Sequence, residues 1–375
     1  MHDLRSRIAK YNESYFLLYI CTLNIMYSLG DIKDIANYTL YKIGLVIAFG
    51  SMGLKVFFTD YTKKEVLIGT IFFTPLIINF CINRELYLFM FFAGIVAAKG
   101  VDLKKVFVYV FWIKLSATCL TWGAVLLGII ENKVAYLLKN DELVGLRCFG
   151  YFYPNVAYAN LLSIAILLIL VYQDRVKWYY YVLLTAFFYG MYELLYCRTG
   201  FIIWLLLCVL LLFDKCITNR NLKKNIFRMA QGTGIFITCI SILLPLLYRN
   251  ETWSWTRTLD FIVNARIRAA FNAMQRMEWT VLGQKEYVAF DNIFVHVLHN
   301  DGIIYLVLLN IGIFLFLRWL FKEQKSRYLL IAVIMLICSY MEFYILTLSW
   351  CPLWLLAAQA IWPKEPSEET NRRTV

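Results

Sequence analysis

The chain reads as a succession of apolar runs separated by short polar stretches. Crossing a hydrocarbon core takes roughly 20 residues of helix. Hydropathy predicts about twelve spans, near 14–30, 38–58, 66–82, 86–98, 106–130, 155–172, 178–196, 201–214, 226–247, 301–319, 328–346 and 348–362. The fourth, eighth and twelfth are short, as tilted partners or re-entrant segments would be. The expected fold class is all-α: a polytopic integral membrane protein with one transmembrane domain over 1–362. One large loop, about 248–300, interrupts it, and a polar tail, 363–375, is expected to be disordered. No repeat period or low-complexity segment stands out.

Composition supports this reading. Of 375 residues, 61% are hydrophobic and only 17% charged, with a mean hydropathy of +0.63; a soluble domain sits nearer about 45–50% apolar. The basic Met1–Lys10 segment resembles the start of a signal peptide. No small-residue cleavage site follows and further spans do, so an uncleaved first helix is expected. The ten cysteines are scattered without a C-x-x-C pair. Most fall in apolar runs, where cysteine acts as a small hydrophobe. Cys148 and Cys197 are expected outside, but spacing alone does not establish a disulfide.

Charge orients the chain. With the N-terminus inside, alternate loops on the cytoplasmic side hold 22 of the 37 basic residues, against 12 outside. A multi-pass protein of the cell membrane with both termini cytoplasmic is expected. The net charge of +12 lies mostly in those short loops and is no argument for a nucleic-acid partner. Six of the external charges sit in the single 248–300 loop: Arg249, Arg257, Arg266, Arg268, Arg276 and Lys285. The base type differs too, with 13 lysines and nine arginines inside but four lysines and eight arginines outside. Topogenic charge is indifferent to that choice, whereas planar bidentate recognition of phosphate favours arginine. No P-loop, no G-x-G-x-x-G after a strand, no D-x-D and no zinc pattern is present. An energised donor would have to come from the lipid phase.

Four clusters follow one another along the second half. Gly150-Tyr-Phe-Tyr-Pro154-Asn155 opens the sixth span, and Tyr196-Cys197-Arg198-Thr199-Gly200 breaks the run between the seventh and eighth. Asn264-Ala265-Arg266 is followed by Val281-Leu282-Gly283, and Phe290-Asp291-Asn292-Ile293-Phe294 precedes the tenth span with Gly302 shortly after. In this order they resemble the Wzy-type polysaccharide polymerases of capsule and exopolysaccharide loci, distant relatives of the O-antigen ligases. The resemblance covers roughly 145–345; the first third matches only in being hydrophobic. Cys197 stands where the family has serine, Tyr153 where it has histidine, and Asp291-Asn292 where the ligases have a histidine-asparagine pair.

Each candidate has a functional and a plain account. Arg198, flanked by apolar helices, is costly unless paired and so a candidate pyrophosphate contact; it could equally snorkel at a span end. Arg266 matches the family's loop arginine. It lies in a segment, 257–277, whose mixture of arginines with Leu259, Ile262, Ala270, Phe271 and Met274 suits an interfacial helix. Anionic headgroups would account for it otherwise, and account better for Arg268 and Arg276. Arg257 and Arg249 are intermediate. Asp291 is the candidate base; Asp or Asn before an apolar run is also a common helix cap. His296 and His299 are further protonatable groups but make a poor metal site without a third ligand. Pro154-Asn155 has the form of a helix start. Glu342, within the expected eleventh span, needs a partner, such as an arginine; Glu193 in the seventh raises the same question. Trp253, Trp255 and Trp279 suit interfacial anchoring and could stack on sugars.

The resemblance implies a GT-C-like membrane glycosyltransferase, metal-independent, inverting and without a cofactor. It would polymerise undecaprenyl-pyrophosphate-linked oligosaccharide repeat units at the outer face of the membrane. Asp291, Arg266 and Arg198 would be catalytic, with Arg257, Arg249, Asn292, Asn155 and His299 binding substrate. Membrane lipid and the pathway's flippase and chain-length regulator are the implied partners. An O-antigen-type ligase and a transporter or flippase of lipid-linked glycans are the alternatives; no inverted repeat is visible for the latter.

Overall fold

Helices follow the apolar runs, because backbone in lipid must satisfy every amide internally. The computed structural model describes residues 11–30, 38–139, 142–172, 175–217, 219–248, 254–263, 265–275, 278–285, 287–343 and 347–362. It is 77% helical. In order come α1 (Asn12–Gly30), α2 (Tyr38–Phe58), α3 (Lys63–Asn83), α4 (Tyr87–Ala97), α5 (Leu103–Leu126), α6 (Pro154–Val171), α7 (Trp178–Leu195) and α8 (Arg198–Cys216). Then follow α9 (Arg220–Ala230), α10 (Thr233–Tyr248), α11 (Ser254–Ile262), α12 (Arg266–Gln275) and α13 (Ile293–His296), which runs into a π-helical turn, Val297–Asp301. The chain closes with α14 (Ile303–Lys322), α15 (Ser326–Cys338), a 3-10 turn (Pro352–Leu356) and α16 (Ala357–Ile361).

Six helices are long and apolar enough to cross a membrane, or seven if α9 and α10, bent by 47° at their junction, count as one span. That is fewer than the twelve expected from hydropathy. α1 and α7 reach the length but carry more polar side chains, among them Asn12, Glu13 and Asn24, and the α7 tyrosines. α4 and α15 are short, at 11 and 13 residues. The eighth, expected short, is a full helix of 19 residues that begins on Arg198 itself. The expected all-α class is also interrupted. Val134–Lys139 and Glu142–Arg147 pair antiparallel, from Val134↔Arg147 to Lys139↔Glu142, in the loop between α5 and α6. All ten cysteines are free, Cys148 and Cys197 included. The 363–375 tail lies outside the described residues.

α6 forms the centre. It is apolar around its circumference and buried on nearly every side, packed by α5, α7 and α8; α8 packs in turn on α15. Phe188 and Trp204 stack with centroids 4.5 Å apart, beside Tyr158. At the periphery α3 exposes Val66, Leu67, Ile68, Ile71 and Ile77 at 52–65%. A patch of that kind on a helix of membrane-crossing length calls for lipid rather than water.

Charged side chains gather at the two ends. At one end Lys99 bonds Glu65 at 2.8 Å and the Asp60 carbonyl at 2.9 Å, Lys55 reaches the Lys99 carbonyl, and Lys105 pairs with Glu13. Asn12 bonds the Phe58 carbonyl there, and Trp362 meets Tyr61 at 6.1 Å. The first and last described helices therefore share one end of the bundle. The opposite end collects the C-termini of α3, α10 and α15 and the N-termini of α6, α8 and α14, together with α11–α13.

Two glycines of the sequence clusters brace that second end. Gly283 (φ +91) and Gly302 (φ +97) lie backbone against backbone. A Cβ on Gly302 would sit 2.6 Å from the Gly283 nitrogen, and one on Gly283 would sit 2.5 Å from the Asn300 carbonyl oxygen. Bonds from Gln284 N to Asn300 O and from Ile303 N to Thr280 O close the brace. Gly302→Ala should destabilise the protein by about 1–3 kcal/mol from backbone strain, before the clash is counted. This is checked as a lowered thermal midpoint in detergent. Gly312→Ala, whose Cβ meets open space, should leave the midpoint unchanged.

Candidate functional site

The 248–300 loop is built around a buried acid. Asp260, near the end of α11, accepts from Arg268 N at 2.9 Å and pairs with Arg268 Nε at 3.4 Å. It thereby caps the start of α12. Between the helices the chain reverses at Ala265, in the left-handed region at φ +62. The single interfacial helix expected over 257–277 is thus two helices. Arg268, expected to face lipid headgroups, pairs with Asp260 while its side chain stays 59% exposed. Ile267, Ala270 and Met274 of α12 are buried, and the helix packs on α10. Arg266, its first residue, is thereby fixed facing the bundle.

Four segments meet at that guanidinium. Arg266 Nε donates to the Met341 carbonyl at 2.8 Å, and Nη2 donates to Glu342 Oε1 at 3.0 Å. The same Nη2 lies 3.5 Å from Asp291 Oδ2. Glu342 Oε2 accepts from Asn155 Nδ2 at 3.4 Å, at the second residue of α6. Exposure separates the two acids: the Glu342 side chain is 8% exposed and Asp291 59%, with Arg266 at 12%. Glu342 was expected inside the eleventh span. It stands instead in the turn just past α15, whose Ser339 carbonyl accepts from Ile293 N and ties α13 to the same place. Glu342 is the member that sequence reasoning left out of the site; its signal was a carboxylate in an apolar run. Glu193, the other such acid, is exposed at the end of α7 and bonds Tyr189.

The cap before α13 belongs to Asn292, not Asp291. Asn292 accepts from Phe294 N and Val295 N, and its amide donates to Ser241 at 2.9 Å. It is buried and its bonding capacity is taken up locally, which favours a structural part over the substrate contact expected of it. Asp291 is left exposed beside Arg266. Pro154 occupies the first turn of α6 after an extended Tyr153, as read from sequence.

The other candidates among the described residues make no bond to this group. Arg198 is exposed at the start of α8, donates to Tyr196 Oη at 2.9 Å and stacks over that ring. A Cβ on Gly200 would lie 2.2 Å from the Tyr158 ring, so the Arg-Thr-Gly turn seats α8 on α6. Arg257 is exposed on α11. Arg249 and Arg276 lie outside the described residues.

His299 is buried, its Nδ1 2.7 Å from the Gln284 amide nitrogen and 3.1 Å from Asn300 Oδ1. Asn300 also exchanges two bonds with the Val288 backbone. His296 sits among the rings of Tyr87, Tyr287, Phe290 and Phe343. Burial, aided by His299, pushes His296 down to about 3 and keeps it neutral. Asp301, fully enclosed, accepts from Asn83 at 2.8 Å and from the Tyr87 hydroxyl, and Asn79 reaches its carbonyl. Burial raises its carboxyl to about 7, against the opposing effect of the bonds from Tyr87, Asn79 and Asn83. Among the described residues no three His, Cys, Asp or Glu side chains are grouped to hold a metal ion. No family model matches the chain, and neither a curated protein nor a solved structure matches it.

Asp301 binds its proton more tightly folded than unfolded. Its stabilising contribution is complete below about pH 4 and fades as the pH rises through about 7. Thermal midpoints of Asp301→Asn should therefore lack the decline that the wild type shows across that interval. Parallel midpoint curves for the two proteins would reject the assignment.

Proposed function

We propose that the chain is a membrane glycosyltransferase. On this reading it transfers a growing glycan from one undecaprenyl pyrophosphate to the terminal hydroxyl of a repeat unit on another. The reaction takes place at the outer face of the cytoplasmic membrane, in a GT-C-like bundle of about twelve passes with both termini cytoplasmic. The supporting observation is the meeting of Arg266, Glu342, Asp291 and Asn155 at one end of the bundle. An arginine fork beside an exposed carboxylate is what an anionic leaving group and a hydroxyl nucleophile require.

Asp291 takes the proton of the acceptor hydroxyl as the oxygen attacks the anomeric carbon. The bond from that carbon to the diphosphate oxygen breaks, and its electron pair stays on the diphosphate. Arg266 stabilises the charge that builds there. Arg198, at the head of α8 where the helix dipole favours anions, does so from the neighbouring helix end. One displacement inverts the anomeric centre. The exposed Trp255, Phe261, Ile262 and Trp279 around the loop anchor it at the membrane surface, next to the prenyl chain of the donor.

Purified protein with a lipid-linked repeat unit should yield a ladder of oligomers. Arg266→Lys keeps the charge but loses the planar fork, and should cut polymer formation by about 10²–10³-fold, as loss of one preorganised donor does. Asp291→Asn leaves the Asn292 cap intact and should abolish the ladder. Undiminished polymer from either variant removes that residue from the mechanism. A tag inserted near residue 270 should be reached by an impermeant label on whole cells.

A further inference from the structure

Arg266 carries two carboxylates on one nitrogen, and the two are not equivalent. Glu342 meets Nη2 at 3.0 Å and is 8% exposed; a second residue of the same turn, Met341, holds Nε through its carbonyl. Asp291 meets the same Nη2 at 3.5 Å with 59% of its side chain exposed. Its backbone is fixed by the neighbouring Asn292 cap, yet among the described residues its side chain has no partner besides Arg266. Nη1 has no acceptor among the described residues. Arg266 is thus anchored along its Nε–Nη2 edge, while the exposed Asp291 carboxylate approaches Nη2 beside the unfilled Nη1.

We propose that Asp291 holds, in the substrate-free protein, the place of a diphosphate oxygen on Arg266, and that a prenyl diphosphate displaces it, while Glu342 stays as the positioning residue. The inference rests on the function proposed above and adds an order of events. Diphosphate takes the outer fork of Arg266 in the bidentate manner that guanidinium offers. The released Asp291 carboxylate then turns to the acceptor hydroxyl. One residue thereby guards the anion position and serves the nucleophile, and the base becomes available only after the donor has bound.

The displacement has a signature that a simple base lacks. Removing the Asp291 charge deletes a competitor for Arg266 and a like charge beside the ligand, so anion binding should tighten even as turnover fails. In phosphatidylcholine nanodiscs, Asp291→Asn and Asp291→Ala should bind inorganic pyrophosphate and farnesyl pyrophosphate about 2- to 10-fold more tightly than wild type, as the modest worth of an exposed ion pair allows. Arg266→Ala should bind neither. Added phosphatidylglycerol should compete weakly; equal competition would make the site one for lipid headgroups and overturn the proposal. Thermal midpoints supply the second arm. Glu342→Gln should lower the midpoint because a buried guanidinium loses its counter-charge, whereas Asp291→Asn should not. A comparable fall for Asp291→Asn would make that pair permanent and overturn the exchange. Unchanged or weaker pyrophosphate binding by Asp291→Asn, in a wild type that still forms polymer, defeats the exchange alone. Absence of both binding and polymer in the wild type defeats it together with the proposed function.

Discussion

A guanidinium at the edge of an apolar bundle cannot be left bare. Once one partner of such a buried pair is removed, the stranded charge costs about 3–5 kcal/mol. Arg266 escapes that penalty only because the turn after α15 brings Met341 and Glu342 to it. That single requirement ties together parts of the chain that are far apart in sequence. α12 must be capped by Asp260 so that Arg266 leads it. The 339–342 turn must hold α13 through Ser339, and the head of α6 must offer Asn155 to the second oxygen of Glu342. Three of the four sequence clusters, those of Asn155, Arg266 and Asp291, come together around that charge.

A second polar nest obeys a different rule. Asp301 is enclosed without a basic residue paired to it among those described, and the surrounding amides and phenol suit a neutral acid as well as an ionised one. Beside it His296 is kept uncharged by its aromatic cage. Neutral polar groups held by a complete set of hydrogen bonds can be buried cheaply. Here they fasten the loop that carries Asp291 onto α3 and α4. Rigidity at that loop comes from this nest and from the paired glycines, and charge complementarity is reserved for the Arg266 side.

Much of the architecture was legible in the sequence, since apolar runs become helices wherever the backbone has no water to bond. The length of each helix was less so. The run past α15 keeps Met341, Phe343, Ile345 and Leu346 among its polar residues, so hydropathy placed the end of the span beyond Glu342, where the helix has already stopped at Cys338. Arg266 and Asp291 were readable as candidates because charge is rare in such a chain. Their being neighbours was not, because 24 residues, helix α12 and the loop after it, intervene. Arg268 looked like a lipid contact because its partner, Asp260, lies eight positions back across a left-handed residue. Asp291 and Asn292 were indistinguishable as caps from sequence; only the direction in which each side chain points separates the cap from the exposed acid.

The shared location of the two ends of the described chain constrains its path. Asn12 meets Phe58, and Trp362 meets Tyr61, on one side of the bundle. A thread that leaves and returns to the same side has traversed the thickness an even number of times. Six or seven long helices do not by themselves describe that route, because the brief helices α4 and α15 also carry the chain from one side to the other. α15, at 13 residues, ends at the turn that presents Glu342. The guanidinium owes its place to a helix that stops early, since an unbroken α15 would not turn the Met341 carbonyl and Glu342 toward it.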